Sequence, residues 1–409
     1  MPDLDAFRAR CRSFLAGLTV EPISGPDPRG DRALAVARQV QGRLAEAALA
    51  GITYPVEYGG QGLTAAHEQV WREEYGRGPD LLGPLKISHG MCLPMLNEFG
   101  TAQQKARHVA RSIRGDDVWC QMFSEPGAGS DVAGLRMRAE RDGDEWVLNG
   151  QKVWTTLAHV CEFGLVLART DAERPKHAGI SMFIVDMRAS GIGVRPIRQI
   201  DGRTGFNEVF FTDARVGGDD LVGELHDGWR LATAMLSYER VAIGTGSAGG
   251  ITHPVSDELL AAAARRALDD PVLRQDLIRL YSEETVKSIA AAQVRGAFEV
   301  GRSPGPIGSL SKLQGARIAR MTREIAPRVL GMSTVAWDGE SGGRAVEHVI
   351  TSLQASIAGG TDEIQRNIVG ERILGLPREP AVDRDVPFSA LANGIPRNQS
   401  AEHVLGLPR

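Results

Sequence analysis

No stretch of the 409-residue chain carries the roughly 18 uninterrupted apolar residues that a membrane-spanning helix needs. The opening segment, Met1 to Leu18, is charged and has no apolar signal-peptide core, so a cytoplasmic protein is expected. Cysteine is scarce. Cys11, Cys92, Cys120 and Cys161 form no CxxC pair, and their spacings of about 30–80 residues suit no usual zinc module. Reduced, mostly buried thiols are the expectation. The histidines show neither HxxxH nor HExxH spacing, so no metal site is supported. Excess positive charge is also missing. A net charge of −4 leaves no electrostatic footprint for nucleic acid or an anionic membrane.

What remains is an ordinary globular composition, 42% hydrophobic and 24% charged. A single core rarely outgrows roughly 250–300 residues, so two or three domains are expected. Residues 1–115 read mainly as helix, with ALAVARQVQGRLAEAALAGI (33–52) and TAQQKARHVARSIRGDD (101–117) amphipathic at helical spacing. Residues 116–224 change texture to short β-branched and aromatic runs punctuated by Gly, Asp and Asn, which predicts a central β domain. Within it, Asn149-Gly150 predicts a tight hairpin turn. Helical period returns over 225–380. Residues 381–409 show no period and read as an irregular tail or a partner-contacting arm. The fold class is α+β, with a β module between helical parts.

SEPGAGSD, Ser124 to Asp131, follows a strand-like apolar run. Gly127 and Gly129 permit a tight path that frees backbone N–H groups and the Ser130 hydroxyl for a ligand; a surface turn is the plain alternative. Near the other end, Gly359-Gly360 precede a helix whose first turn holds Thr361, Asp362 and Glu363, good N-terminal residues. Ile364, Ile368 and Val369 are expected to form its buried stripe. GTGSAG (244–249) satisfies GxGxxG but follows a helical pattern rather than a strand, so a dinucleotide site is not expected there.

FSEPGAGSDVAGL (123–135) followed by LNGQKVWTT (148–156) resembles the signature of the acyl-CoA dehydrogenase family. YPVEYGGQGL in the first domain and GGTDEIQRNIVGERILG (359–375) add to the likeness, in family order. The resemblance implies a helical N-terminal domain, a central β domain and a C-terminal helical bundle. It implies FAD as cofactor, with Gln121, Phe123, Ser124, Gly129 and Ser130 along the flavin and Ser130 also touching substrate. Trp154, Thr155 and Thr156 are implied to pack on the isoalloxazine, with a hydroxyl near N5, and Thr361 and Glu363 to touch flavin. A flat ring wants an aromatic wall, which suits Trp154; a β-domain core residue is the alternative.

Most relatives carry their catalytic Glu just before the Gly-Thr of the C-terminal motif, where this chain has Gly359. Isovaleryl- and long-chain-type members place it before an Arg on a C-terminal helix, and Glu239-Arg240 match. Periodicity agrees, because Glu239 lies four residues from Met235 and Ile243, on an apolar face. A carboxylate there is costly unless it is paired or functional. Glu239 is thus the expected base, with Tyr238, Arg240, Ser130 and Gly360 on the substrate side. The implied reaction is α,β-dehydrogenation of an acyl-CoA or carrier thioester, with an electron-transfer flavoprotein as electron acceptor. A non-catalytic or partner-dependent subunit, or a flavin monooxygenase on the same fold, are the alternatives.

Two stretches depart from the homotetrameric pattern. Residues 264–281 lack the Arg-x-x-Phe segment, and Arg328-Val329-Leu330-Gly331-Met332 stands where Gln-x-x-Gly-Gly meets the adenosine end of FAD. Similar departures occur in bacterial heterotetrameric members of steroid side-chain breakdown. The assembly expected is a homodimer, a homotetramer or a heteromer with a homologous subunit.

Overall fold

The computed structural model describes the chain except residues 1–2, 21–29, 245–254, 267–268, 300–306, 336–342, 379, 381–382, 384 and 392–409. Five helices come first: α1 (Leu4–Ala16), α2 (Asp31–Glu46), α3 (Ala65–Tyr75), α4 (Leu93–Phe99) and α5 (Ala102–Arg114). The start of α5 is fixed locally. Thr101 accepts from the Gln104 N–H, and the Gln104 side chain accepts from the Thr101 N–H, a reciprocal cap. Its end is fixed by Gly115 at φ 81°, a left-handed conformation that costs glycine least.

Eight strands follow: β1 (Trp119–Met122), β2 (Arg138–Asp142), β3 (Glu145–Thr156), β4 (Phe163–Arg169), β5 (Ile180–Asp186), β6 (Ile192–Ile197), β7 (Phe206–Gly217) and β8 (Leu221–Val222). Their order is β6–β7–β3–β2–β4–β5–β8, with β1 parallel to β4. Strand β4 is buried on both sides. Leu165 and Leu167 share one core with Met95 and Leu96 of α4, while Val166 and Ala168 face a second core with Leu148, Phe183 and Phe211. A strand covered on both faces reads as a continuous apolar run, as GLVLA does.

The predicted hairpin turn at Asn149-Gly150 is corrected. The turn lies at Gly143-Asp144, because Asp142 pairs with Glu145 and β3 runs unbroken through Asn149-Gly150. Asn149 exchanges hydrogen bonds with Asp213, at 3.0 Å from its amide and 2.9 Å to its carbonyl. A Cβ on Gly150 would meet Met137 Cα at 2.8 Å, and the register shifts there. The pair makes a bulge against a close neighbour, not a turn.

Among the described residues seven α-helices follow: α6 (Gly228–Gly244), α7 (Val255–Arg265), α8 (Pro271–Glu299), α9 (Ile307–Leu330), α10 (Gly343–Thr351), α11 (Asp362–Arg372) and α12 (Phe388–Leu391). The first half of α6 leaves the β domain by burying Leu231, Ala232 and Met235 in the core shared with α4 and β4. The tail expectation changes as well. Phe388 and its neighbours dock on the β domain of the same chain, Phe388 N donating to Arg174 O at 2.9 Å. The later part of the tail and the GTGSAG stretch after Gly244 lie outside the described residues. Among the described residues no helix is long and apolar enough to cross a membrane, and no group of three or more His, Cys, Asp or Glu is placed to hold a metal ion. All four cysteines are free and buried.

Candidate active site

The SEPGAGSD loop leaves β1 and is bolted to β3 by one ion pair. Lys152 Nζ donates to Glu125 Oε1 at 2.8 Å and to Phe123 O at 3.1 Å. The Glu125 carboxylate also accepts from the backbone N–H groups of Arg136 at 2.7 Å and Met137 at 3.0 Å. Burial pulls the Lys152 ammonium below its ordinary value, and Glu125 opposes that pull. A buried pair with its lone pairs and protons satisfied serves position better than stability. The Val153 N–H donates to Ser124 O at 2.9 Å, a second tie from loop to strand. Glu125 and Ala128 exchange backbone bonds of 3.0 and 3.1 Å, which turns Gly127, Gly129 and Ser130 outward, where they are exposed.

Trp154 is no core residue. It is 59% exposed and sits at φ 61°, left-handed backbone that costs a bulky residue roughly 1–2 kcal/mol. The cause lies in the register. Strand β3 alternates Trp146 and Leu148 inward, then Lys152 inward, so strict alternation would also bury Trp154. A bulge between Lys152 and Thr155 inserts one extra outward residue and puts Trp154 and Thr156 on the outer side. Thr155 is turned inward, buried with its hydroxyl unpartnered, so only its backbone is open to a ligand. Phe206 braces the Trp154 ring edge-on, with centroids 6.1 Å apart.

The structure brings Gln121, Ser124, Gly129, Ser130, Trp154 and Thr156 to one end of β1 and β3. Gln121 and Ser124 are half-buried there. Phe123 is buried in the core beside Ala128 and Leu135, so it too offers only backbone. Tyr238 lies on α6, and its hydroxyl donates to Glu98 at the end of α4. Burial and that carboxylate push the phenol up. The side chains of Glu239 and Arg240 lie outside the described residues; their backbone belongs to α6, one turn after the fully buried Met235.

The C-terminal motif forms around α11. Thr361 caps the helix by accepting from the Ile364 N–H at 3.3 Å. Gly359 and Gly360 are both left-handed, at φ 68° and 87°, and a Cβ on Gly360 would meet Gln365 Nε2 at 2.7 Å. The expected stripe of Ile364, Ile368 and Val369 is corrected. Those residues are half-buried, whereas Asp362 and Gln365 are buried. Asp362 faces α9, paired with Lys312 at 3.2 Å and Arg320 at 2.7 Å, so the helix packs inward through its polar face. Glu363 is exposed, and its carboxyl is lowered by hydrogen bonds at the helix start. Gln365 donates to Gly359 O at 2.7 Å, and Arg320, which holds Asp362, also donates to Ser356 at 2.7 Å.

Sequence reading missed Lys152, Glu125 and Arg169 as parts of this site. The available signal was a Lys at a position of β3 that alternates inward and an Arg closing the apolar run of β4. Arg169 donates to Ala133 O at 2.6 Å and Leu135 O at 3.3 Å, just beyond the loop, and burial lowers it to about 10.

An outward tryptophan in a strained bulge, a hydroxyl on its side and a Gly-rich loop pinned beside it stand together at one end of β1 and β3. Family models for the N-terminal, middle and C-terminal domains of acyl-CoA dehydrogenase match residues 1–116, 120–214 and 226–374. The chain belongs to the acyl-CoA dehydrogenase family. It is 40% identical over 391 residues to acyl-CoA dehydrogenase IpdE1 of Mycobacterium tuberculosis, covering 93% of this chain and 99% of that one. The solved Tcur3481-Tcur3483 steroid ACAD matches with a TM-score of 0.76 at 28% identity, over 92% of this chain and 98% of that one. The ChsE4-ChsE5 complex from Mycobacterium tuberculosis matches with a TM-score of 0.73 at 29% identity, over 93% and 99%. The enzyme is an acyl-CoA dehydrogenase with the three-part fold of that family.

Proposed function

We propose that this chain binds FAD between the Ser124–Ser130 loop and the Trp154–Thr156 segment and desaturates an acyl-CoA at its α,β bond. The observation that carries the cofactor reading is Trp154. A large ring held outward at a backbone cost is explained by a planar partner that covers it. Thr156 stands on the same side of β3, where its hydroxyl would meet the flavin edge near N5. Bound FAD supplies the acceptor for the hydride that leaves Cβ.

The rest is the work of this chain's side chains. Glu239 accepts the α-proton, the role implied by its place before Arg240 in the sequence. Arg240 balances charge beside it, and Tyr238 bounds the substrate side of α6. Ser130 and the Gly360 N–H hold the thioester, the latter at its carbonyl, where negative charge develops as the proton leaves. Thr361 and Glu363 meet flavin from α11. An electron-transfer flavoprotein is the expected acceptor, and a cytoplasmic setting fits the four free thiols.

For assembly, exposed apolar side chains favour a partner chain. Met332, Val335, Leu353, Ile357 and Leu374 are all more than half exposed, on and around the segments where the family's subunits share FAD. Arg328 is bound within the chain, to Asp276 at 2.7 Å and Asp270 at 3.4 Å. That occupation argues for a homologous subunit, rather than a second identical site, as the source of the missing contacts. The Tcur3481-Tcur3483 and ChsE4-ChsE5 assemblies are precedents for a pair of chains.

Anaerobic mixing of the purified protein, alone and co-expressed with a homologous subunit, with a panel of acyl-CoAs tests the reading. Flavin bleaching with formation of a 2-enoyl thioester is expected. Product carrying an added oxygen atom, or no bleaching in either preparation, would overturn it.

A further inference from the structure

The last described stretch of the chain lies across the loop that joins β4 to β5. Pro387 pairs with Pro175 in an isolated bridge, and Ser389 N donates to Ala172 O at 2.8 Å. Two side-chain routes lead from this strap to the SEPGAGSD loop. In the first, Lys176 Nζ stands between Asp383, at 2.5 Å, and Asp131, at 2.9 Å, and Asp131 closes the loop. In the second, the Phe388 ring covers the Arg169 guanidinium, 3.8 Å from ring centroid to its carbon. Arg169 in turn holds the carbonyls of Ala133, Leu135 and Lys176.

Arg169 is 4% exposed, and its hydrogen-bond acceptors are all backbone carbonyls. A desolvated guanidinium bound in this way keeps its geometry only while water is excluded, and an aromatic face supplies both the exclusion and a favourable quadrupole. The loop is therefore anchored twice. Glu125 and Lys152 fix its entry, and the strap fixes its exit through Asp131, Ala133 and Leu135. Between the anchors lie Gly127, Gly129 and Ser130, whose backbone has little stiffness of its own.

We infer that Asp383 and Phe388 are positioning residues for the thioester. They act through Lys176 and Arg169 to hold Ser130 and its neighbouring backbone where an acyl-CoA is gripped. The inference rests on the reading that Ser130 meets substrate. Releasing one end of a loop loses part of the preorganisation that converts contacts into affinity. A desolvated cation–π contact of ~2 kcal/mol sets the scale of the loss at up to about 30-fold.

The test uses the full chain as flavoprotein, with its homologous partner if one is required. Four variants, Asp383→Asn, Phe388→Ala, Phe388→Tyr and Ser130→Ala, are compared with wild type. The dissociation constant of a non-oxidisable acyl-CoA thioether is read from the perturbed flavin spectrum, KM and kcat are measured separately, and hydrogen exchange is followed at amides 126–135. Phe388→Ala and Asp383→Asn are expected to weaken analogue binding and raise KM about 3- to 30-fold, with kcat changed less. Exchange at 126–135 should quicken, and Phe388→Tyr, which keeps the ring, should restore all three. If Ser130→Ala weakens binding while both strap variants bind within twofold of wild type, the inference is overturned. A lowered melting temperature with unchanged affinity overturns it too, since it leaves the strap a purely structural role. If Ser130→Ala itself leaves affinity unchanged, the substrate reading of the loop fails first.

Discussion

Lys152 and Glu125 meet at 2.8 Å with both side chains withdrawn from solvent, and that contact fastens the entry of the Gly-rich loop to the Trp154 strand. Removing one partner leaves the other as an unpaired buried charge. Lys152→Met is expected to destabilise the fold by roughly 3–5 kcal/mol, seen as a shifted urea midpoint and poor flavin retention. Replacing both, as Glu125→Leu with Lys152→Met, should recover much of the stability without restoring flavin retention. Equal stability of the single variant and wild type would refute the pairing.

Trp154 separates stability from cofactor binding. Trp154→Gly removes the aromatic wall and also relieves the backbone at φ 61°. The flavin-free variant should melt no lower than flavin-free wild type, because glycine tolerates this conformation. Its FAD affinity should fall by about tenfold or more through lost ring contact. A marked loss of melting temperature without loss of FAD would return Trp154 to a structural role.

Glu239→Gln should keep fold and flavin while the rate of flavin reduction by acyl-CoA falls about 100- to 10,000-fold. Restoring a Glu at position 359 should not rescue it cheaply. Gly359 is at φ 68°, and a side chain there would cost of order 1–3 kcal/mol. Retention of the wild-type reduction rate in Glu239→Gln would place the base elsewhere.

Acid should loosen the N-terminal helices first at Glu74. This carboxylate of α3 accepts from Arg12 at 3.0 Å and Arg8 at 2.7 Å, tying α1 down. Hydrogen bonds from Arg12, opposed by burial and joined by Arg8, hold it at about 2 instead of 4.5. A lowered carboxylate binds its proton more readily in the unfolded chain. Its contribution is therefore complete above about pH 4.5 and is lost as pH falls toward 2. Melting curves of wild type and Glu74→Gln should differ at neutral pH and converge near the acid limit. A gap that persists at low pH would show that the charge is not its source.

Assembly gives the last expectation. Light scattering with flavin counting should show a dimer, or a heteromer that gains flavin or activity only with its homologous partner. A homotetramer carrying one FAD per chain would contradict this.

The sequence by itself determined the domain textures and the placement of the motifs. Between turn residues and β-branched neighbours an apolar run such as GLVLA reads as buried strand, and Thr101 with Gln104 writes a helix start into four residues. The family likeness rests on motifs that are local in the chain. Other features depended on distant partners. Asn149-Gly150 carries a strong local turn signal, yet Asp213 and Met137 claim it for a bulge. Alternation along β3 would have buried Trp154; the extra residue accommodated opposite β7 turns it out. The polar inner face of α11 exists because Lys312 and Arg320 of α9 wait for Asp362. Even the tail was undecidable locally, since its hold on Lys176 and Arg169 spans some two hundred residues of chain. Period and propensity are properties of neighbours in sequence, whereas register, charge pairing and docking are settled by whichever remote group arrives to share the buried space.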